Sequence, residues 1–160
     1  MIDQQTEIDG QTHRVIINIR HIMLVQAAIN KITAELNRRG LVHDVTKFQE
    51  DEFLGFVKLN QADKLYGYGT PEYKAALAEN NAVELHTSRH SHHPEYYHNG
   101  VNEMNLFDLI EMVCDWRAAN QVYGVTTFEE SLQKSMDRFG LNENQRFVVR
   151  LIAEAIVGPD

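Results

Sequence analysis

Residues 105–123 read NLFDLIEMVCDWRAANQVY, and this stretch decides the fold. Asn105 with Asp108 three positions on is a capping pair, the arrangement that satisfies the free N–H groups at a helix start. The helix it opens ends before Gly124. Along it Asp108, Glu111 and Asp115 share one face at i, i+3 and i+7, while Met112 belongs to the core. A helix with a stop, a start and a carboxylate-bearing face sets the pattern for the rest of the chain.

The same grammar recurs on both sides. Thr127 with Glu130 is a second capping box, opening a helix that stops at Gly140. Asn142 with Gln145 opens the last helix, which runs through VVRLIAEAIV to Gly158-Pro159. Upstream, Thr70-Pro71 supplies a cap and a proline suited to a first helical position, and that helix is expected to run to about Arg89, placing His86 and His90 one turn apart. An earlier helix is expected from about His43 to Asn60, with Phe48, Glu52, Phe56 and Leu59 on one face and Phe53 and Phe56 in the core. From Asn18, read as a cap, Ile22, Val25, Ala28 or Ile29, Ile32 and Leu36 recur at helical spacing up to Gly40. For residues 1–17 the Asp9-Gly10 turn allows a short β-ribbon, and an irregular arm is equally consistent. The expectation is one all-α domain, residues 1–160, a bundle of five to six helices. It divides into an arm (1–17), a core that carries the site (18–123) and a C-terminal helical pair (124–160).

Bulk composition narrows the function classes. A formal charge of -8 argues against an extended nucleic-acid surface, because tracking phosphates requires Lys and Arg. The single cysteine, Cys114, forms no internal disulfide, no uninterrupted apolar run reaches the length of a membrane span, and the first residues lack a signal peptide's pattern. A cytoplasmic protein without membrane contact is the expectation. The apolar last helix of so small a domain can pair with a second copy, so a homodimer is also expected.

Chemistry concentrates in His86–His98, HTSRHSHHPEYYH, which holds five of the eight histidines. Imidazole is the commonest side-chain metal ligand, so the cluster reads as a metal site; a solvated polar loop is the bland alternative. His21, the adjacent His43-Asp44, the group His86/His90/His92/His93 and Asp115 come from separate helices or the loops beside them. Facing helices of a bundle can bring such groups onto one cation, and mixed imidazole and carboxylate donors suit Zn, Mn, Fe, Ni or Co, with Mg favoured by carboxylates and water. On the residues alone, His21 is as well explained by a satisfied core histidine.

In this order, LVHDVTKF, HHPEYYHNG and EMVCDWRAA resemble the HD superfamily of metal-dependent phosphohydrolases, and most closely small HD-like proteins of bacteria and phages. The resemblance spans about His21 to Ala119. It implies a hydrolase that cleaves a phosphomonoester or phosphoanhydride, in a small phosphorylated substrate such as a nucleotide, with one or two divalent ions. It implies His21, His43, Asp44 and Asp115 as ligands of one ion, with Asp44 bridging to a second held by His86, His92 and His93, and His90 able to replace His86. Lys47 or Arg89 would steady phosphate charge, and Glu111 or Glu95 would orient an imidazole, Glu111 also serving as a proton relay. Lys47 paired with Glu50 or Asp51, and Arg89 in a structural salt bridge, are the plainer readings. The segment after His93 departs from the cyclic-dinucleotide phosphodiesterases of this superfamily, which argues against that substrate. Two other classes remain open: a di-iron oxygenase built from similar ligands, and a non-catalytic metal-binding or interaction module.

Overall fold

The computed structural model describes residues 4–124 and 126–158, with side chains described from Ile8 onward. The C-terminal stop at Pro159 and the first residues of the arm lie outside the described residues. The chain is all-α, and among the described residues there is no strand. Two compact units, Met1–Val42 and His43–Asp160, divide it. The boundaries expected at 17/18 and 123/124 are therefore replaced by one at 42/43.

The first unit is a single helix, α1 (Gln4–Val42), of 39 residues and about 58 Å. It runs straight through Asp9-Gly10 and through Asn18, so there is neither a ribbon nor a cap at those positions. A two-stranded ribbon on its own is marginal in water, whereas each residue added to an existing helix gains a hydrogen bond. A helical glycine costs only about 1 kcal/mol, and Gly10 and Gly40 are both absorbed. Near the C-terminal end Glu35 pairs with Arg38 at 2.7 Å and Arg39 at 3.1 Å. Ile22, Val25, Ile29 and Ile32, read at helical spacing, all fall within this helix. Counted as a window that tolerates two charged residues rather than as an unbroken run, this helix is long and apolar enough to cross a membrane by length and composition.

In the second unit a 3-10 turn, Val45–Phe48, leads into α2 (Glu50–Tyr66), followed by α3 (Pro71–Ala78) and α4 (Ala82–Arg89). The helix expected from His43 thus starts seven residues later, and the one expected from Pro71 to Arg89 is two. Asn80 makes that break: its side-chain amide donates to the Gly55 carbonyl at 2.7 Å and its oxygen accepts the Ala82 N–H at 2.9 Å. A Cβ on Gly55 would overlap that of Ala82, so glycine is what lets α2 and α4 approach this closely. Of the two phenylalanines expected in this core, Phe56 is half-buried and Phe53 is exposed.

Two further 3-10 turns, Pro94–Tyr96 and Gly100–Glu103, lead to α5 (Leu106–Tyr123), α6 (Phe128–Arg138) and α7 (Glu143–Val157). Asn105/Asp108, Thr127/Glu130 and Asn142/Gln145 all form the capping boxes read from the sequence. Met112, Val113, Leu132, Met136, Leu141, Val149 and Ala153 interlock as the core of these three helices. Trp116 stacks on Phe139 at its margin. This core fixes the face of α5 that bears Glu111 and Asp115.

Candidate metal centre

His43 and Asp44 occupy the turn between α1 and the first 3-10 segment. Asp44 has φ 56°, the one non-glycine residue with positive φ among those described. Aspartate tolerates this left-handed conformation better than most residues, and such backbone strain gathers at functional positions. The side chain of Asp44 does not cap the turn it begins. Instead Lys47 donates to its Oδ2 at 2.5 Å, one turn on, and lies over the Phe56 ring. Lys47 is therefore paired with Asp44 and not with Glu50 or Asp51.

The other carboxylate oxygen of Asp44 faces the histidines. Its Oδ1 is 3.1 Å from Nε2 of His86 on α4 and 3.4 Å from Nε2 of His92 in the following loop. Neither approach is a hydrogen bond. Oδ1 of Asp44 and the Nε2 atoms of His86, His92 and His93 are all buried and have no hydrogen-bond partner. One ligand atom from each of these four residues lies within 4.8 Å of the others. Buried polar atoms are rarely left unpaired, because each costs about 1–3 kcal/mol. Four at one point form a group that can hold a metal ion.

The opposite nitrogens of His86 and His92, and that of the neighbouring His43, are engaged. His86 Nδ1 lies 2.9 Å from Oε2 of Glu52, and the Nδ1 atoms of His43 and His92 lie 2.9 and 3.2 Å from the same oxygen of Glu111. A carboxylate on Nδ1 holds a proton there and makes Nε2 the nitrogen that a metal ion would take, the usual support of a metal-bound imidazole. Beside the first group, His43 Nε2 lies 3.5 Å from Asp44 Oδ2 and 3.6 Å from Asp115 Oδ1. His43, His92 and Asp115 make a second ligand-capable group that shares His92 with the first.

Electrostatics divides the rings. Asp115 and Glu111 outweigh burial and raise the His43 pKa to about 10. His92 is also raised, its burial outweighed by Asp44 and Glu111. Burial and then the charges of His92 and His86 push His93 down to about 3, so it presents a neutral imidazole at pH 7. For Asp44, burial opposes ionisation but is overcome by His86, His92 and Lys47, which hold its carboxyl far below the usual range. Asp115 is likewise lowered, with His43 outweighing burial.

The loop carrying His90, His92 and His93 is pinned by Asp108. Besides capping α5, this fully buried carboxylate accepts from Ser91 Oγ and from Tyr97 OH, both at 2.7 Å. Thus a helix cap also sets the position of His92.

Of the residues singled out in the sequence, the structure brings together His43, Asp44, His86, His92, His93 and Asp115, with Glu111 behind them. His21 lies on α1 in the first unit, whereas the groups described here are built from residues of the second. Arg89 is tied to Asp51 at 2.8 Å and Glu52 at 3.1 Å, the salt bridge rather than an open phosphate site. Glu95 pairs with Arg138 at 3.5 Å and orients no ring. Glu52 was missed, although its signal was present: a glutamate on the face of α2 that carries Phe56 and Leu59.

A family model described as a family of unknown function (DUF5662) matches residues 12–156, so the chain belongs to that family. No curated protein and no solved structure matches it.

Proposed function

We propose that this member of the DUF5662 family is a metal-dependent phosphohydrolase of the HD type. The observation that carries the reading is the convergence of four buried, unpartnered donor atoms from Asp44, His86, His92 and His93. Donors of this kind suit Mn, Fe, Zn, Ni or Co, and the adjoining His43, His92 and Asp115 form an alternative group that shares His92 with the first. A divalent ion bound there would acidify a water and polarise a phosphoryl oxygen.

The chain's own residues do the rest. Glu52 and Glu111 keep protons on the outer nitrogens, so the inner ones stay available. Lys47, with its side chain 39% exposed and paired to Asp44, supplies positive charge at the edge of the site for a phosphate. The substrate class is a phosphomonoester or phosphoanhydride, a nucleotide among them. The acidic surface favours a small substrate over a polymer.

The test is metal content by mass spectrometry on untagged protein beside Asp44→Asn, followed by phosphate release from a panel of nucleotides. About one or two ions per chain, lost in the variant, together with phosphate release that depends on them, is the expected result. No metal, and no uptake on adding Mn, Fe, Zn or Ni, would overturn it. Oxygen consumption by iron-loaded protein without phosphate release would move the site to the di-iron oxygenase class.

A further inference from the structure

His90 sits inside the histidine cluster, and Glu52, His86 and His90 are close enough to make a third ligand-capable group. Its hydrogen bonds argue for a different role. Thr46 Oγ1 donates to Glu52 Oε2 at 2.8 Å, and the same Oγ1 lies 2.7 Å from His90 Nε2. A threonine hydroxyl has one proton. Once that proton is given to Glu52, the contact with His90 is a bond only if His90 Nε2 carries the hydrogen. Arg89 closes the chain from the other side, donating to Glu52 Oε1 at 3.1 Å.

Glu52 is therefore a fully buried carboxylate with three donors: Thr46, His86 Nδ1 and Arg89. Together they outweigh its burial and keep it ionised. None of its atoms, and none of His90's, is among the buried atoms left without a partner. That is the contrast with the group around Asp44. Where the first group lacks partners, Glu52 and the Nε2 of His90 already have theirs.

We infer that Thr46, Glu52, Arg89 and His90 form a positioning chain for His86, and that His90 is not itself a metal ligand. The chain runs His90 Nε2–H to Thr46 Oγ, Thr46 O–H to Glu52, and Glu52 to the Nδ1 proton of His86. It holds the His86 ring with Nε2 toward Asp44. This rests on the metal reading above and adds four residues with a defined job.

The experiment measures Co(II) affinity and the visible Co(II) spectrum of the full chain and its variants. His90→Gln retains a side-chain N–H for Thr46 and is expected to bind like wild type with an unchanged spectrum. His90→Leu and Thr46→Val break the chain and are expected to weaken binding about 10-fold, the low end for the loss of a group that orients a ligand. Thr46→Ser, which keeps the hydroxyl, restores affinity. A changed spectrum and equal loss in both His90→Gln and His90→Leu would make His90 a ligand and overturn the inference. Wild-type affinity in His90→Leu and Thr46→Val would overturn it as well. Failure of wild-type protein to take up Co(II) would instead overturn the metal reading itself, and this inference with it.

Discussion

Glu52 and Glu111 perform the same task in different ways. Glu52, on α2, is fully buried, holds one ring and is held in turn by Thr46 and Arg89. Glu111, on α5, has a side chain 14% exposed and uses a single oxygen for two rings, His43 and His92. One support serves a single ring, the other serves two. The comparison separates the ligands into His86, positioned alone, and His43 with His92, positioned together across both ligand-capable groups.

The largest effect is expected where both supports converge. Asp44→Asn keeps the left-handed backbone but removes the charge, and metal content should fall below detection by mass spectrometry. The two supports should then differ in depth. Glu111→Gln is expected to weaken Co(II) binding about 100-fold and Glu52→Gln about 10-fold, the two ends of the usual range for an orienting partner. Equal losses, or the reverse order, in a direct titration would break the distinction. Next comes the packing that brings Glu52 to His86. Gly55→Ala drives a methyl into Ala82 and should destabilise the metal-free protein by about 1–3 kcal/mol in urea denaturation, with metal affinity falling alongside. An unchanged midpoint would mean that α2 and α4 can part without consequence.

A further effect is in pH, and it belongs to the Glu111 side. His43 is raised from 6.5 to about 10, so its contribution to the stability of the metal-free protein is complete below about pH 6.5 and is lost as pH rises through 10. The slope is no steeper than about 1.4 kcal/mol per pH unit. Melting temperature measured between pH 6.5 and 10 should fall more in wild type than in His43→Gln. His93, lowered to about 3, acts in the opposite sense and in a separate window, from about 6.5 down to 3.

Much of this was legible in the chain. The three capping boxes were, because Asn, Thr, Asp, Glu and Gln at fixed spacing act on their own helix and nothing else. The residue order from His43 to Asp115 was legible through its resemblance to a known superfamily, and the fold brings those residues into groups that could hold a metal ion. The break at Asn80-Asn81 was not, since it depends on a carbonyl 25 residues away in α2. The long α1 was misread at Asp9-Gly10 because a turn signal is local, while helix propagation draws on both flanks. Choosing between His86 and His90 requires knowing which neighbour receives the Thr46 proton, and only the folded chain brings Thr46, Glu52 and His90 together.

The left-handed backbone at Asp44 gives position 44 two separate demands, a shape and a charge. Under the proposed function only the charge would serve an ion; the shape is required by the turn whether or not one binds. A descendant without that function would be released from the charge while still bound by the shape. Its residue at this position would drift to asparagine or glycine well before alanine or valine. Such a chain would keep the fold while having lost the chemistry, and this one position would record it.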